Sequence, residues 1–182
     1  MARSSVALND QTDEELIARF QDGGRDGFEQ LVERYKDRLV NFAFRITGNL
    51  ADAEDVAQDA FIRLFRNKDA YRPVAKFSTW IYTIASNLAK TRIRQRRRHG
   101  FEEREYELPD ASRLPDEETD RALMIERLER ALAELPVKFR EVLVLSDIED
   151  LPYDEICRIT GLNPGTLKSR LNRARERMRR LL

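Results

Sequence analysis

The C-terminal end of the chain has the pattern of two short helices joined by a tight turn. Apolar residues at helical spacing run from Ile156 to Leu162, and Gly161 permits a sharp change of direction near their end. Asn163 is a good N-cap residue, and Pro164 after it is favoured at the first position of a helix. This arrangement predicts a helix-turn-helix and restricts this part of the chain to a helical fold.

The second helix of this motif is predicted to be amphipathic and basic. Its apolar stripe consists of Leu167, Leu171, Ala174 and Met178. The opposite face carries Ser169, Asn172 and Arg173, with Lys168 at its margin. Short polar and guanidinium side chains on such a face suit the major groove of DNA. The alternative is an ordinary amphipathic helix whose solvent-exposed face is basic.

The overall charge limits how such a helix could bind DNA. Lys plus Arg and Asp plus Glu both number 33, so the formal net charge is zero. A protein that binds DNA alone usually carries excess positive charge, which releases counterions from the phosphates. DNA binding by this chain therefore requires local basic patches or a partner that supplies the remaining affinity.

The small numbers of cysteine and histidine residues exclude several kinds of site. Cys157 is the single cysteine and His99 the single histidine, so a disulfide within the chain or a common zinc site cannot form. We expect Cys157 to be a small core residue, with a redox role as the alternative. No cofactor or metal is predicted. Apolar segments of signal-peptide or membrane-spanning length are missing, which predicts a cytoplasmic protein without membrane insertion.

Helical periodicity recurs along the chain and predicts an all-α protein of two small domains. A capping box at Thr12 opens the first, residues 12–98, which holds four helices, one of them over 50–66 and the last capped by Ser78. Residues 99–120 are rich in acids and predict a flexible linker. Residues 121–182 form the second domain, with the helix-turn-helix at its end.

Two further surfaces of the first domain carry a functional pattern. Asp52, Asp55 and Asp59 share one helix face with Gln58 at its edge, which fits docking to a basic helical partner. The alternative is a solvated acidic face near a helix N-terminus.

The helix from Ser78 places polar, aromatic and basic side chains opposite its core stripe: Trp80, Thr83, Asn87, Thr91 and Arg94, with Lys90 beside them. Such a face suits an unstacked nucleic-acid strand, although Trp80 alone could be a core residue.

In this order, the three surfaces resemble the extracytoplasmic-function (ECF) sigma factors, the two-domain group of the bacterial sigma-70 family. Residues 52–61 (DAEDVAQDAF) look like the family's polymerase-binding segment, and residues 77–87 (FSTWIYTIASN) look like its promoter-melting helix. Residues 151–156 (LPYDEI), 165–170 (GTLKSR) and 173–177 (RARER) look like its −35-reading helix-turn-helix. The resemblance covers roughly residues 28–98 and 123–182.

The resemblance implies a factor that binds core RNA polymerase and directs it to promoters. The clamp helices of the largest polymerase subunit would contact Asp52, Asp55, Gln58 and Asp59, and the flap of the second-largest subunit would be a further partner. The −10 element would meet Lys68, Tyr71, Lys76, Trp80, Thr83, Asn87, Lys90 and Arg94, with a flipped base captured by the loop of residues 68–76. The −35 element would meet Thr166, Lys168, Ser169, Asn172, Arg173 and Arg175.

The resemblance also implies a route for the linker and a form of control. The acidic linker would run toward the RNA exit path. The chain ends at Leu182, directly after the recognition helix, so regulation is expected in trans through an anti-sigma factor.

The sequence departs from the primary sigma factors in the residues for promoter melting. Primary sigma factors use two adjacent tryptophans, whereas here Ile81 follows Trp80. Melting is therefore expected to depend on a strict promoter sequence.

Two other classes of protein fit the sequence less well. A stand-alone dimeric helix-turn-helix regulator would bind its operator without polymerase, and the acidic face and the neutral charge disfavour it. An enzyme is disfavoured because the sequence offers no metal-ligand set, no phosphate-binding glycine loop and no nucleophile paired with a histidine.

Overall fold

The structure, a computed structural model, describes residues 11–98 and 116–182, and the side chains of residues 116–122 lie outside the description. Within the described segments the regular structure is helical and no β-strand occurs, which confirms the predicted all-α class. The first lobe contains α1 (Asp13–Gln21), α2 (Arg25–Thr47), α3 (Leu50–Arg66) and α4 (Phe77–Arg98). The second contains α5 (Asp116–Glu134), α6 (Val137–Leu143), α7 (Tyr153–Thr160) and α8 (Pro164–Leu181).

Local signals in the sequence fix most of the helix ends. The capping box at the start of α1 is present, because Thr12 Oγ1 accepts from Glu15 N at 3.2 Å and Glu15 Oε2 accepts from Thr12 N at 2.8 Å. Asn49 caps α3 by accepting from Asp52 N at 2.9 Å. The predicted cap at Ser78 is wrong: α4 begins at Phe77, before that serine. Ser78 instead directs its hydroxyl to Glu155 of the second lobe.

The predicted linker overlaps the start of the second lobe. Helix α5 begins at Asp116, so residues 116–120 of the predicted linker are helical, and residues 99–115 lie outside the described segments. A single turn of π-helix, Val144–Ile148, extends α6 and has no counterpart in the sequence prediction. It brings Ser146 and Asp147 beside α8.

Each lobe is built around buried apolar residues at the predicted helical spacing. In the first lobe α2, α3 and α4 bury Leu39, Phe42, Val56, Leu64 and Ile81 completely. Helix α1 closes this core with Leu16, Ile17 and Phe20. Gly27 is required where α1 meets α2, because a Cβ atom there would lie 2.4 Å from the carbonyl oxygen of Leu16.

The two lobes also pack directly against each other, which the sequence did not predict. Helix α4 lies against α7, and α2 lies against α5 and α6. Arg140 of α6 crosses the boundary, and its Nη1 donates to the carbonyl oxygen of Ile46 at 3.1 Å. The same guanidinium satisfies the carbonyl of Leu135, with Nη2 at 3.0 Å. The last carbonyls of a helix lack partners within it. Carbonyls at the C-terminal ends of α2 and α5 therefore accept hydrogen bonds from the same buried guanidinium, that of Arg140.

Candidate nucleic-acid interface

The turn between α7 and α8 is built as the sequence predicts. Gly161 has a φ of 71°, a left-handed conformation that ends α7. Asn163 Oδ1 accepts a hydrogen bond from Thr166 N at 2.8 Å and caps α8, whose first residue is Pro164. The turn and the cap together set the direction in which α8 leaves α7.

Helix α8 has two chemically distinct faces. Its buried stripe consists, as predicted, of Leu167, Leu171, Ala174 and Met178. Lys168, Ser169, Asn172 and Arg173 are exposed on the other side, and Thr166 is half-buried in the first turn. Ammonium, hydroxyl, amide and guanidinium groups are therefore presented together on one helix, which is the donor set that reads base edges in a major groove.

Two arginines of α8 are held within the second lobe. Arg175 forms a bidentate pair with Asp147, with Nη2–Oδ1 at 2.6 Å and Nε–Oδ2 at 2.9 Å. This hydrogen bonding raises the pKa of Arg175 and lowers the pKa of Asp147. Arg177 stacks its guanidinium 4.9 Å from the ring centre of Phe139. Arg175 is thus already paired, whereas Arg173 faces solvent.

The second candidate surface lies on α4. Asn87 and Arg94 are exposed, while Trp80 and Thr83 are half-buried. The Trp80 ring packs 5.4 Å from Tyr71 and 6.2 Å from Phe77, measured between ring centres. Trp80 therefore lies partly in the core and partly at the surface. Both interpretations made from the sequence, a core residue and a ring available for stacking, fit this position.

The segment of residues 68–76, hereafter the −10 loop, was predicted to be irregular but begins with one turn of 3-10 helix, Lys68–Ala70. It places its three candidate residues in different surroundings. Tyr71 is buried, its hydroxyl donates to the Ala75 carbonyl at 2.9 Å, and burial raises the pKa of Tyr71. Lys68 Nζ donates to the backbone carbonyl of Phe20 at 2.8 Å. Lys76 keeps 65% of its side chain exposed and pairs with Glu155 at 2.7 Å. Tyr71 and Lys68 shape the loop, and Lys76 lies at its surface.

Carboxylates of the second lobe contact α4 beside this candidate surface. Glu155 of α7 accepts from Thr79 Oγ1 at 2.9 Å, in addition to its pair with Lys76. Glu141 of α6 pairs with Lys90 at 2.9 Å and accepts a hydrogen bond from Ser86. Both glutamate side chains are nearly buried, with 4% and 7% exposed. Two basic residues predicted to meet nucleic acid are therefore neutralised by the neighbouring lobe.

Two more glutamates complete this lobe interface. Glu149 accepts from Tyr82 and lies 3.5 Å from Arg38, and burial beside this carboxylate raises the pKa of Tyr82. Glu129 of α5 pairs with Arg45 of α2 at 3.0 Å. We call Glu129, Glu141, Glu149 and Glu155 the lobe glutamates. Sequence reasoning missed them, and the available signal was a carboxylate within an apolar stretch, as at Glu141 between Phe139 and Leu143.

The predicted acidic strip, Asp52, Asp55 and Asp59, lies along α3 with part of its charge already compensated. Arg96 of α4 pairs with Asp52 at 3.1 Å. Arg92 pairs with Asp55 at 3.0 Å and approaches Asp59 at 3.7 Å. The side chains of Asp55 and Asp59 remain 53% and 46% exposed. Gln58 is exposed beside them.

Other kinds of site find little support in the described segments. No cluster of three or more His, Cys, Asp or Glu side chains that could hold a metal ion occurs within residues 11–98 and 116–182. Cys157 is half-buried and carries a free thiol. Among the described helices, none has both the length and the apolar character needed to span a bilayer.

Comparison with known proteins supplies the family context of these surfaces. The family model for sigma-70 region 2 matches residues 31–99, and the model for sigma-70 region 4 matches residues 125–178. The ECF RNA polymerase sigma factor SigW of Bacillus subtilis strain 168 is 34% identical over 176 residues, covering 91% of this chain and 94% of SigW. The RNA polymerase sigma factor CarQ of Myxococcus xanthus is 37% identical over 167 residues, covering 91% of this chain and 95% of CarQ.

A solved structure is similar over both lobes. It is the co-crystal structure of the sigma factor RpoE in complex with the anti-sigma factor NepR from Bartonella quintana. The two chains superpose with a TM-score of 0.70 at 25% identity, covering 85% of this chain and 95% of the other. The region 2 match contains the acidic strip, the −10 loop and α4, and the region 4 match contains the helix-turn-helix.

Proposed function

The chain belongs to the ECF group of the sigma-70 family, and we propose that its two lobes divide promoter recognition between them. It is an alternative sigma factor, which binds core RNA polymerase and directs promoter-specific transcription initiation. In the proposal, residues 12–98 dock on polymerase and read the −10 element, residues 99–120 link the lobes, and residues 121–182 read the −35 element. The protein acts in the cytoplasm as a binding factor and contributes no catalytic step.

The exposed face of α8 is the observation that carries the proposal for the −35 element. Lys168, Ser169, Asn172 and Arg173 project from a helix whose other side is completely anchored in the lobe. A rigid helix face of this kind can enter the major groove without reorganisation, so its side chains meet base edges directly. Thr166 lies at the N-terminal end that leads into the groove. Arg175 remains paired with Asp147. From this position it contacts the phosphate backbone of the DNA and does not read bases.

The −10 element binds the face of α4 and the −10 loop in this account. Trp80 offers a ring for stacking, Thr83 and Asn87 offer polar groups, and Arg94 offers a cation. Lys76 and Lys90 contact phosphates after they leave Glu155 and Glu141. The second lobe and the −10 strand therefore compete for α4, and the lobes must separate when a promoter is bound.

Core polymerase contacts surfaces outside this DNA-binding face, whereas an anti-sigma factor covers the functional surfaces of both lobes. The acidic strip with Gln58 faces the basic clamp helices of the largest polymerase subunit, and the second lobe contacts the flap of the second-largest subunit. An anti-sigma factor holds the protein inactive, as supported by the likeness to a sigma factor crystallised with such an inhibitor. Purification of the tagged factor from unstressed native cells tests this: a stoichiometric inhibitor is expected, and recovery of only free factor and polymerase would refute it.

Transcription from a promoter library tests the proposed function as a whole. The protein, core polymerase and the two together are each incubated with templates randomised around the −10 and −35 positions. Only the combination is expected to yield transcripts, enriched for one −10 and one −35 sequence at a fixed spacing. Tight operator binding by the protein alone, with no transcripts when polymerase is added, would instead support the dimeric regulator.

A further inference from the structure

We propose that α1 is a strut that holds the −10 loop in its base-receiving shape, and that Gln21 is the positioning residue through which it acts. This inference rests on the proposed reading of the −10 element by the loop. Helix α1 lies outside residues 31–99, the segment that the region 2 family model matches. The −10 loop and the start of α4, which it contacts, lie within that segment.

The C-terminal turn of α1 and the start of the loop are joined by reciprocal hydrogen bonds. Gln21 Nε2 donates to the carbonyl oxygens of Lys68 at 2.8 Å and Tyr71 at 3.3 Å. Lys68 Nζ donates in return to the carbonyl oxygens of Phe20 at 2.8 Å and Gln21 at 2.9 Å. The last carbonyls of a helix lack partners within the helix and favour a cation, so the ammonium group of Lys68 completes this end of α1.

The opposite end of α1 holds the far end of the loop. Glu14 Oε1 in the first turn of α1 accepts from Phe77 N at 2.9 Å, where α4 begins. The first N–H groups of a helix also lack partners within it, so Glu14 caps α4 from another element. With nine residues, α1 is about 13 Å long. One rigid helix thus spans the loop and fixes both of its ends.

Helix α1 is itself anchored in the lobe. Leu16 and Ile17 are completely buried, and Arg34 of α2 pairs with Asp13 at 2.9 Å. Between these anchors the −10 loop exposes its central residues, with Val74 85% exposed. A loop ordered before binding loses less conformational entropy when it receives a base, which increases affinity. A loop held in one shape also fits one base better than the others, which increases selectivity. Gln21 acts through the backbone of the loop and is not among the residues predicted to contact DNA.

The single tryptophan provides a readout of loop order that does not involve DNA. Trp80 packs 5.4 Å from Tyr71, one of the two residues whose carbonyl Gln21 holds. Gln21→Leu removes the donors while keeping a similar volume, and Lys68→Met removes the reciprocal donors while keeping the stem. We expect both variants to increase acrylamide quenching of Trp80 fluorescence with little change in far-ultraviolet circular dichroism. The matched control Gln30→Leu on α2 should leave quenching unchanged.

Promoter selectivity is then measured with the full-length variant in holoenzyme. Gln21→Leu is expected to reduce discrimination between the preferred −10 sequence and its single-base variants about 3- to 10-fold, because two hydrogen bonds to the loop are lost. Discrimination at the −35 element should stay as in the wild type. Unchanged Trp80 quenching in both variants would overturn the strut. Increased quenching with unchanged −10 discrimination would overturn its role in positioning.

A loop graft separates this inference from the proposed function. Replacing residues 68–76 by the loop of a related factor in the otherwise wild-type chain tests whether the loop reads the −10 element at all. If the graft leaves the −10 profile unchanged, the proposed reading fails, and the quenching experiment still decides whether α1 holds the loop.

Discussion

Arginines of α8 differ in role because their surroundings differ. Arg173 faces solvent on the exposed face of α8, whereas the guanidinium of Arg177 lies 4.9 Å from the centre of the Phe139 ring. An arginine free to form a bidentate contact with guanine is worth about 1–3 kcal/mol of discrimination against other bases. A contact with phosphate contributes equally to the binding of every sequence, and its contribution depends on salt.

Arg173→Ala and Arg177→Ala are therefore expected to have different effects. We predict that Arg173→Ala removes the preference at one −35 position by about 1–3 kcal/mol. Arg177→Ala should lower the affinity for all −35 sequences by the same factor, and low salt should restore it. Holoenzyme binding to single-base −35 variants at two salt concentrations measures both. A uniform loss in both variants would leave α8 as a basic anchor only.

The pair of Asp147 with Arg175 makes a prediction about pH. The hydrogen bond from Arg175 lowers the pKa of Asp147, so the pair stabilises the folded state above the ordinary pKa of an aspartate. The contribution is lost as the pH falls through the lowered pKa of the folded state. Because both side chains are partly exposed, we expect Asp147→Asn to cost roughly 0.5–1 kcal/mol at neutral pH.

Thermal unfolding of the wild type and Asp147→Asn between pH 7 and pH 2 measures this difference. The difference should shrink toward zero in the acidic range. Asp154→Asn, an exposed aspartate of α7, serves as the matched control. An equal difference at every pH would show that the pair does not contribute through the charge of Asp147.

At the scale of elements, the acidic strip, which is the proposed docking face for polymerase, also couples α3 to α4. Asp55→Arg together with Asp59→Arg reverses the strip toward the basic clamp helices, and like charges at an interface exclude a partner. We predict loss of co-purification with core polymerase while the fold persists. The double variant also repels Arg92, which normally pairs with Asp55 at 3.0 Å.

Adding Arg92→Glu to this double variant restores an ion pair within the lobe without restoring the outward charge. Polymerase binding should therefore stay lost in the triple variant. Recovery of binding in the triple variant would show that the double variant acted through the packing of α3 on α4. Glu54→Arg, an exposed residue of the same helix, controls for a change of charge alone.

The helices were predictable where the chain carries local signals. Thr12, Asn49 and Asn163 cap helices as predicted, and Gly161 makes the predicted turn. The cap of α4 was missed because Glu14, a residue distant in sequence, accepts from its first N–H. The exposed polar face of α8, opposite its buried stripe, also followed from periodicity. The pairing of Arg175 with Asp147 did not follow from periodicity, because Asp147 lies on a π-helical turn that the sequence does not signal.

At the scale of the whole molecule, the sequence predicted two lobes, and the structure adds their contact. The lobe glutamates are nearly buried against α2 and α4, where a carboxylate without a partner would be strongly destabilising. The sequence gives no prediction for these residues, because burial between lobes depends on which faces meet. The contact engages Thr79, Ser86 and Lys90 of α4, so under the proposed function the second lobe and the −10 strand compete for this helix.

Glu141→Gln with Glu155→Gln is predicted to loosen the compact form. The substitutions keep side-chain volume but remove the charges that hold Lys90 and Lys76. We expect a larger radius of gyration in small-angle X-ray scattering and tighter binding of the free protein to single-stranded −10 DNA. Glu134→Gln, exposed on α5, is the matched control. An unchanged radius and unchanged DNA affinity would show that the lobe glutamates do not hold the lobes together.

The division of promoter reading between the lobes is tested most directly by one transcription experiment on a library randomised at both elements. Holoenzymes contain the wild-type factor, Arg173→Ala or the −10 loop graft. We predict that Arg173→Ala changes only the −35 profile and that the graft changes only the −10 profile. The account is contradicted if either variant alters both profiles, or if neither variant alters the profile assigned to it.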